Sequence, residues 1–546
     1  MRYSIRGPRR GPALMAAAVA LVTVAACSDG SPSAPPAVSA PTGSSPSGAA
    51  TTTAAPPPSP TPTPTPSPTT VHPLSTAPQV IPAVRNHTAA RGPGWKPGPD
   101  TGVVVAAKDE RALADEARLI AGELKVRYRG TAAARPGDVS LALGGRGAAE
   151  SYTLTVRGGG VRITGPDQAG VFYGTRTLKQ SVRSAGTMPE GVVTDAPAKP
   201  QRGLMVDIAR KHFTAGWIEA RLREMADLKL NQLGLHFSDD QGFRIASDSH
   251  PEVVSAQHLS KAEVRRIVAL AASLHITVVP EIDSPGHLGA VIAAHPELQL
   301  VSATGRTPRG ALDISKPAAA KIVDELLREY AGLFPGRYWH LGADEYVALM
   351  SQNPEATYPQ LARAATAKYG ASGRVQDLAT GWLNDRAAVV RPTGKELRAW
   401  NDGFFTGGVV SADRDIQVAY WTGKEIGART PTSYLSAGRR MINYNDEYLY
   451  YVLGQPNQFT YPTGRRIYQE WTPLVVRGTT AVPARYDPQI LGGVFAVWCD
   501  LAGSQTQAQV ADGIRMPLTA TAQKLWDARK PTLSWAEFRS LANRVR

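Results

Sequence analysis

The sequence predicts an α/β protein: a (β/α)8 TIM barrel preceded by a small α+β domain. Three observations carry this. From residue 200 onward, short apolar runs alternate with helical stretches, giving eight strand candidates in roughly 300 residues. Polar and aromatic residues collect behind those runs, at one end of the predicted strands. Before residue 200 the pattern is different, with strands grouped around a glycine-rich hairpin and two amphipathic helices.

The chain opens with "MRYSIRGPRRGP", a basic segment, followed by the apolar "ALMAAAVALVTVAA" and small residues before Cys27. The apolar run is short for a bilayer span and reads as an export signal over residues 1–27. "VAAC" resembles a bacterial lipobox, so Cys27 is the expected lipidation site. The pair Arg9 and Arg10 sits in a poor twin-arginine context. Residues 28–77 are dominated by Ser, Pro, Thr, Ala and Gly and include "PPPSPTPTPTPSPTT". Such a segment has too little apolar surface to fold and reads as an extended tether. The expectation is an exported protein, lipid-anchored on the outer face of the cytoplasmic membrane, or secreted if Cys27 is not acylated. Cys499, the only other cysteine, lies in an apolar run and reads as a buried thiol.

Residues 78–199 form the predicted α+β domain. "GVVVA", "VSLAL", "SYTLTV" and "VRITG" are strands, the last two joined through Gly158, Gly159 and Gly160. "DERALADEARLIAGEL" and "DQAGVFYGTRTLKQSV" are helices. Residues 200–546 form the predicted barrel. Its strands are "GLMVDIA", "NQLGLHF", "ITVVPEI", "RYWHLG", "LRAW", "IQVAYW", "RRMINYN" and "LGGVFAVW". Helices begin at Gly216, Ser260 and Pro317, run through 376–390, and end the fold near 508–526. A doubly wound open sheet is the alternative arrangement, but no glycine-rich phosphate loop follows any strand.

Active sites of such barrels are built at the C-terminal strand ends. There the sequence places Asp207 and Arg210, then His236, Asp239, Asp240 and Arg244. Next come Glu281, Asp283 and His287, then His340, Asp344 and Glu345. Later strands end in Trp400, Trp421, Tyr448 with Tyr450, and Trp498 with Asp500, while Arg202 stands at the start of the first. Carboxylates beside several aromatic rings suit a pyranose, whose apolar face stacks while its hydroxyls bind charged groups. Each residue also has a structural reading, as an ion pair at a strand end or a satisfied core histidine. Asp239, Asp283, His287 and Asp344 are a metal-ligand alternative, without HxH, HExxH or CxxC spacing. The net charge of +14 is spread along the chain without a basic block, which argues against a nucleic-acid partner.

"RGLMVDIARKHF", "NQLGLHFSDDQGFRI", "VPEIDSPGH", "HLGADE", "YWTG" and "LGGVFAVWCD" together resemble glycoside hydrolase family 20, the β-N-acetylhexosaminidases. The resemblance runs from about residue 100 to 530 and implies the following roles. Glu345 is the general acid and base, and Asp344 orients the substrate's 2-acetamido group. Tyr448 binds the acetamido oxygen, and Trp400, Trp421 and Trp498 wall the pocket. Arg202 and Asp500 hold ring hydroxyls, while Asp239, His287 and His340 support the site. No cofactor or metal is implied. The partner is an amino-sugar glycan. Adjacent carboxylates fit this chemistry because the nucleophile is the substrate's own acetamido oxygen. In an extended segment neighbours point to opposite sides, so acid and nucleophile could not readily flank one anomeric carbon. Mutual repulsion predicts that one of the two carboxyls titrates high, as a general acid needs.

Two residues depart from the family pattern. Asp500 stands where most members have Glu, and Ala343 replaces the commoner Gly. The first leaves room for a lacto-N-biosidase or a poly-N-acetylglucosamine hydrolase within the family. A cell-surface carbohydrate-binding lipoprotein without turnover is the reading from another class; the intact Asp344–Glu345 pair argues against it.

Overall fold

The computed structural model describes residues 71–424 and 428–546, so Cys27, the signal segment and most of the tether lie outside the described residues. Pairing begins earlier than the tether's expected end at residue 77. Leu74 bridges Arg91, and the Ser75 hydroxyl donates to the Glu190 carbonyl at 2.6 Å.

The first domain is a seven-stranded mixed sheet. Its order is His87–Ala89, Gly191–Asp195, Tyr152–Arg157, Gly160–Gly165, Val139–Leu143, Gly102–Val105 and Arg127–Tyr128. Helices Glu110–Leu124 and Gln168–Ala185 pack on it. Alternation along Tyr152–Arg157 buries Tyr152, Leu154 and Val156, the period-two pattern of a sheet with one covered face. Helix Gln168–Ala185 is buried at every residue from 170 to 181, because it also meets the barrel's outer helices. Its Arg176 and Lys179 bind Glu123 at 2.7 and 2.6 Å, and Lys179 also binds Asp227 of the barrel at 2.6 Å.

Eight parallel strands then close a barrel: Gln201–Asp207, Gln232–Asp239, Thr277–Ile282, Tyr338–His340, Glu396–Trp400, Gln417–Tyr420, Met441–Asn443 and Ile490–Trp498. The last pairs with the first from Gly492↔Gln201 to Val497↔Val206, which removes both sheet edges. Helices Ala215–Asp227, Lys261–Ser273, Pro317–Leu333, Val375–Val390 and Gln507–Trp526 surround it. The Ser260 cap is a full capping box with Glu263, which explains why that helix starts where the sequence predicts.

Several elements escaped the sequence reading, among them strands His87–Ala89 and Gly191–Asp195 and helix Pro359–Tyr369; two others bear on the barrel. Tyr450–Val452 is an added strand, parallel to the C-terminal half of the eighth strand through Tyr450↔Ala496. Helix Trp535–Arg544 follows a Ser534–Glu537 capping box and packs against Gln507–Trp526 and Gln168–Ala185. Among the described residues, no helix is long and apolar enough to cross a membrane.

Candidate active site

A cavity of about 150 Å³ opens at the C-terminal strand ends, lined by Arg210, His287, Asp344, Glu345, Trp421, Tyr450, Val452, Asn457, Phe459, Trp498 and Asp500. The carboxylate pair reaches it by an unusual backbone. Gly342, Ala343 and Glu345 have φ values of 68°, 79° and 46°, all left-handed. The segment after strand Tyr338–His340 is therefore coiled, and Asp344 and Glu345 both face the cavity instead of diverging as an extended segment would require. Gly342 is obligatory, since a Cβ there would lie 1.8 Å from Asp283 Oδ1. Ala343 takes a conformation that favours glycine, and its methyl fits because position 403 has no side chain; a Cβ there would approach it to 2.7 Å. Two hydrogen bonds hold the turn. Ala343 N–H donates to Asp283 Oδ1 at 2.7 Å, and Glu345 N–H donates to Asp402 Oδ2 at 2.8 Å.

The two carboxyls titrate in opposite directions. Asp344 is buried, and its Oδ1 has no hydrogen-bond partner among the described residues. Burial, and then the neighbouring Asp283, hold its carboxyl well above the usual carboxylate range. Burial also pushes Asp283 up, to about 7. Two carboxyls in one buried site favour sharing a proton. Glu345 is more open, and the His287 ring, 3.4 Å from its Oε2, holds it low despite partial burial. The repulsion expected between neighbours thus raises Asp344 and not Glu345, because the imidazolium stands on the glutamate's side and Asp283 on the aspartate's.

His287 is the hub of a buried relay. Its Nδ1 lies 3.4 Å from Asp239 Oδ1, and its Nε2 faces Glu345 and Asp344 at 3.4 and 3.8 Å. Burial opposes its charge, but Asp239 and Asp344 outweigh burial and raise it well above the ordinary imidazole range. Asp239 also takes His236 Nε2 at 2.8 Å and Arg210 Nη2 at 2.9 Å. Deeper, Glu281 accepts the Trp400 indole N–H at 2.7 Å and faces His236 and His340 at 3.3 and 3.4 Å. His340 Nδ1 accepts the Gly342 N–H at 3.0 Å, which fixes the neutral ring with its hydrogen on Nε2. Burial pushes His340 down to about 4, in agreement with a neutral ring.

The walls are aromatic. Trp421 stacks on Tyr450 with an interplanar angle of 4°, Tyr450 continues to Phe459, and Trp498 leans on Trp400 at 5.9 Å. Asp402 accepts the Trp421 indole N–H at 3.1 Å, so one carboxyl ties this wall to the Glu345 backbone. Arg210 lies over the Trp498 ring at 5.3 Å and binds Asp207 at 3.1 Å. Asp500 lines the mouth, and burial raises its carboxyl against the opposing pull of Arg210.

The structure therefore brings together Asp344, Glu345, His287, Trp421, Trp498 and Asp500, with Asp239, His340 and Trp400 packed behind them. Two expected residues lie elsewhere. Arg202 sits at the opposite, N-terminal end of its strand. It is fully buried at the domain junction, where it binds Glu150 Oε2 at 2.7 Å and the carbonyls of Lys199 and Lys229 at 2.8 and 2.9 Å. Arg210, past the other end of the strand, lines the cavity instead. Tyr448 turns away, its hydroxyl 3.2 Å from Glu470 and its ring under Arg466. The N–H groups of Tyr448 and Leu449 both donate to the Asn445 carbonyl, a turn that breaks the alternation, and Tyr450 enters the cavity in its place. Asp402 was not singled out from the sequence. Its place after the "AW" that ends the fifth strand was the available signal.

The donor atoms of Asp283, His287 and Asp344, and those of Asp239, Asp240 and His287, lie within 4.8 Å of one another. These groups could ligate a cation. Here Asp239 and His287 are engaged in the ion-pair relay that orients Glu345.

Comparison with known proteins agrees with this architecture. Residues 77–196 match the model of glycosyl hydrolase family 20, domain 2. A lacto-N-biosidase of Bifidobacterium bifidum is 30% identical over 481 residues, which are 86% of this chain and 42% of that protein. A β-hexosaminidase of Vibrio furnissii is 27% identical over 70% of this chain and 66% of its own length. The chain thus spans less than two thirds of the length of these curated relatives. The crystal structure of an exo-β-N-acetylglucosaminidase from Vibrio harveyi superposes with a TM-score of 0.70 at 20% identity, over 86% of this chain and 77% of that one, a likeness of fold. The catalytic-domain model of glycosyl hydrolase family 20 matches residues 200–529, and the chain belongs to that family.

Proposed function

We propose that the protein is an exo-acting, retaining β-N-acetylhexosaminidase that removes terminal β-linked N-acetylglucosamine or N-acetylgalactosamine by substrate-assisted catalysis. The observation that carries this is Asp344: a buried carboxylate at the cavity, with an oxygen lacking a partner among the described residues, beside the more open Glu345. Such an acceptor suits the N–H of a 2-acetamido group.

Glu345 delivers its proton to the glycosidic oxygen as the C1–O bond breaks. The acetamido oxygen attacks C1 from the opposite face, giving an oxazolinium ion whose N–H hydrogen-bonds Asp344. The proton shared by Asp283 and Asp344 then resides on Asp283, which leaves Asp344 anionic as positive charge develops. Water, deprotonated by Glu345, opens the ring with net retention and restores the acid. In the empty site His287 holds Glu345 low, which suits its second role, that of base; its first role, that of acid, requires the bound sugar to desolvate the carboxyl and raise it. Trp421, Tyr450 and Trp498 wall the sugar, while Arg210 and Asp500 meet its hydroxyls.

Asp500, one methylene shorter than the usual Glu, and the likeness to a lacto-N-biosidase over 86% of the chain support a second reading, release of a disaccharide ending in N-acetylglucosamine. Both readings are tested by aryl N-acetylglucosaminide and aryl lacto-N-bioside substrates, with Glu345→Gln as control. No turnover of either refutes the activity, and preference for the disaccharide selects the second reading. A 2-hydroxy analogue hydrolysed as well as the 2-acetamido sugar refutes substrate assistance. The exported, lipid-anchored location rests on residues 1–27 and is tested by Cys27→Ala, expected to move the protein from the membrane to the soluble fraction.

A further inference from the structure

Away from the cavity, the loops after the second and third barrel strands bring two histidines onto one carboxylate. Glu252 Oε1 lies 2.9 Å from His250 Nδ1 and 2.9 Å from His295 Nε2. The three donor atoms lie within 4.8 Å of one another. The far ring nitrogens also face carboxylates: His250 Nε2 is 3.1 Å from Glu325 Oε2, and His295 Nδ1 is 3.5 Å from Glu297 Oε1. Lys321, 3.4 Å from Glu325, is the neighbouring cation.

Counting hydrogens makes this arrangement informative. Four imidazole nitrogens face three carboxylates, yet two neutral rings carry only two N–H groups. If these serve Glu325 and Glu297, then His250 Nδ1, His295 Nε2 and Glu252 Oε1 all direct lone pairs at one point. A metal ion there, or a second proton on each ring, removes the conflict, and the metal titration below separates the two. We propose that His250, Glu252 and His295 form a binding site for a divalent transition-metal ion, with Glu325 and Glu297 orienting the rings.

The donor set selects the metal. Two imidazoles and one carboxylate suit zinc, copper or nickel ions, whereas magnesium and calcium prefer oxygen alone. Tetrahedral ligands at 2.0–2.1 Å from zinc stand about 3.3 Å apart, so the observed 2.9 Å contacts require only a small outward shift. Glu252 is 41% exposed, which leaves the fourth position to water. A carboxylate behind each ligating imidazole fixes the tautomer and raises its basicity, the usual arrangement around a protein-bound zinc.

The site links two segments. His250 and Glu252 flank and enter the turn Pro251–Val253, and His295 ends helix Gly289–Ala294. That helix follows His287, and its first N–H is held by Asp240 Oδ1 at 3.0 Å. The ion therefore braces the loop that carries His287 without entering the cavity, and its role is stabilising.

The test uses the purified full chain, treated with chelator and titrated with zinc chloride. Calorimetry and thermal melting are followed for the wild type, His250→Gln/His295→Gln, Glu252→Gln, Glu325→Gln and His287→Gln. The wild type is expected to take up one saturable equivalent and to melt at higher temperature with it, and magnesium chloride to do neither. The double variant and Glu252→Gln should each lose at least 10-fold in affinity, and Glu325→Gln about 10-fold. Wild-type turnover in the metal-free double variant confirms that it is folded. His287→Gln, which alters both donor groups in the cavity, should retain the equivalent. No saturable equivalent in the wild type, its retention by both ligand variants, or its loss in His287→Gln alone overturns the proposal.

Discussion

Replacing Arg202 by Met separates the two ends of the first barrel strand. In the structure this arginine makes one ion pair, to Glu150 at 2.7 Å, and donates to the carbonyls of Lys199 and Lys229. It also contacts the Tyr173 hydroxyl at 3.2 Å. Methionine fills most of the volume but leaves these acceptors without a donor. Breaking a buried pair by removing one partner costs about 3–5 kcal/mol. Glu150 is 19% exposed and keeps Asn231 at 2.9 Å, so its charge stays partly solvated and the lower end, about 3 kcal/mol, is the expected cost. For a chain of this size that lowers the melting temperature by roughly 3 °C. Turnover per folded molecule should be unchanged, because the residue is at the wrong end of the barrel to touch substrate. Arg210→Lys is the counterpart. It keeps a charge beside Asp207 and Asp239 but loses the planar fork over Trp498, and kcat/KM should fall about 10- to 100-fold with a smaller thermal shift. A 100-fold loss of kcat/KM in Arg202→Met with an unchanged melting temperature would refute this assignment.

Further outcomes follow from the same geometry. Glu345→Gln should slow sugar-leaving-group substrates by about 10²–10⁴-fold in kcat, and aryl glycosides with acidic phenols less in the bond-breaking step, which pre-steady-state release of the phenol resolves. Tyr450→Phe should reduce kcat/KM by about 10-fold, and Tyr448→Phe should leave it within twofold, since only Tyr450 lines the cavity. Stability should decline as pH rises through the neutral range. Burial raises Asp283 to about 7 and Asp402 to about 8, and the carboxylates facing His236 raise it to about 10 despite burial. All three make the folded state bind more protons than the unfolded chain: between about pH 4 and 8 for the acids, and between about 6.5 and 10 for the histidine. Melting temperatures at pH 5 should exceed those at pH 8, and Asp402→Asn should shrink the difference; an unchanged slope would remove Asp402 from this account.

What could be read from the sequence, and what could not, divides along a physical line. The strands of the barrel were legible because each is a run of apolar residues whose period and length leave little choice, and closure follows from their number. The carboxylate pair was legible because adjacency is itself a chemical statement. Arg202 and Tyr448 were misplaced for another reason: a motif gives order along the chain but not which end of a strand, or which side of a turn, a side chain occupies. "RGLMVDIAR" holds an arginine at each end, and only the strand's direction in the barrel decides that Arg210 reaches the cavity. "EYLYYV" holds several tyrosines, and only the Asn445 turn decides which enters. The direction of titration was hidden for the same cause. Neighbours in sequence repel equally, so adjacency alone cannot say which of Asp344 and Glu345 is raised. Residues sixty positions away decide it: His287 pairs with the glutamate, and Asp283 crowds the aspartate. The proposed division of the pair into one acid and one orienting anion rests on two other strand ends treating its members differently. Removing those surroundings, as in His287→Gln combined with Asp283→Asn, should lower kcat although Asp344 and Glu345 themselves are unchanged; a wild-type kcat in that double variant would refute this account.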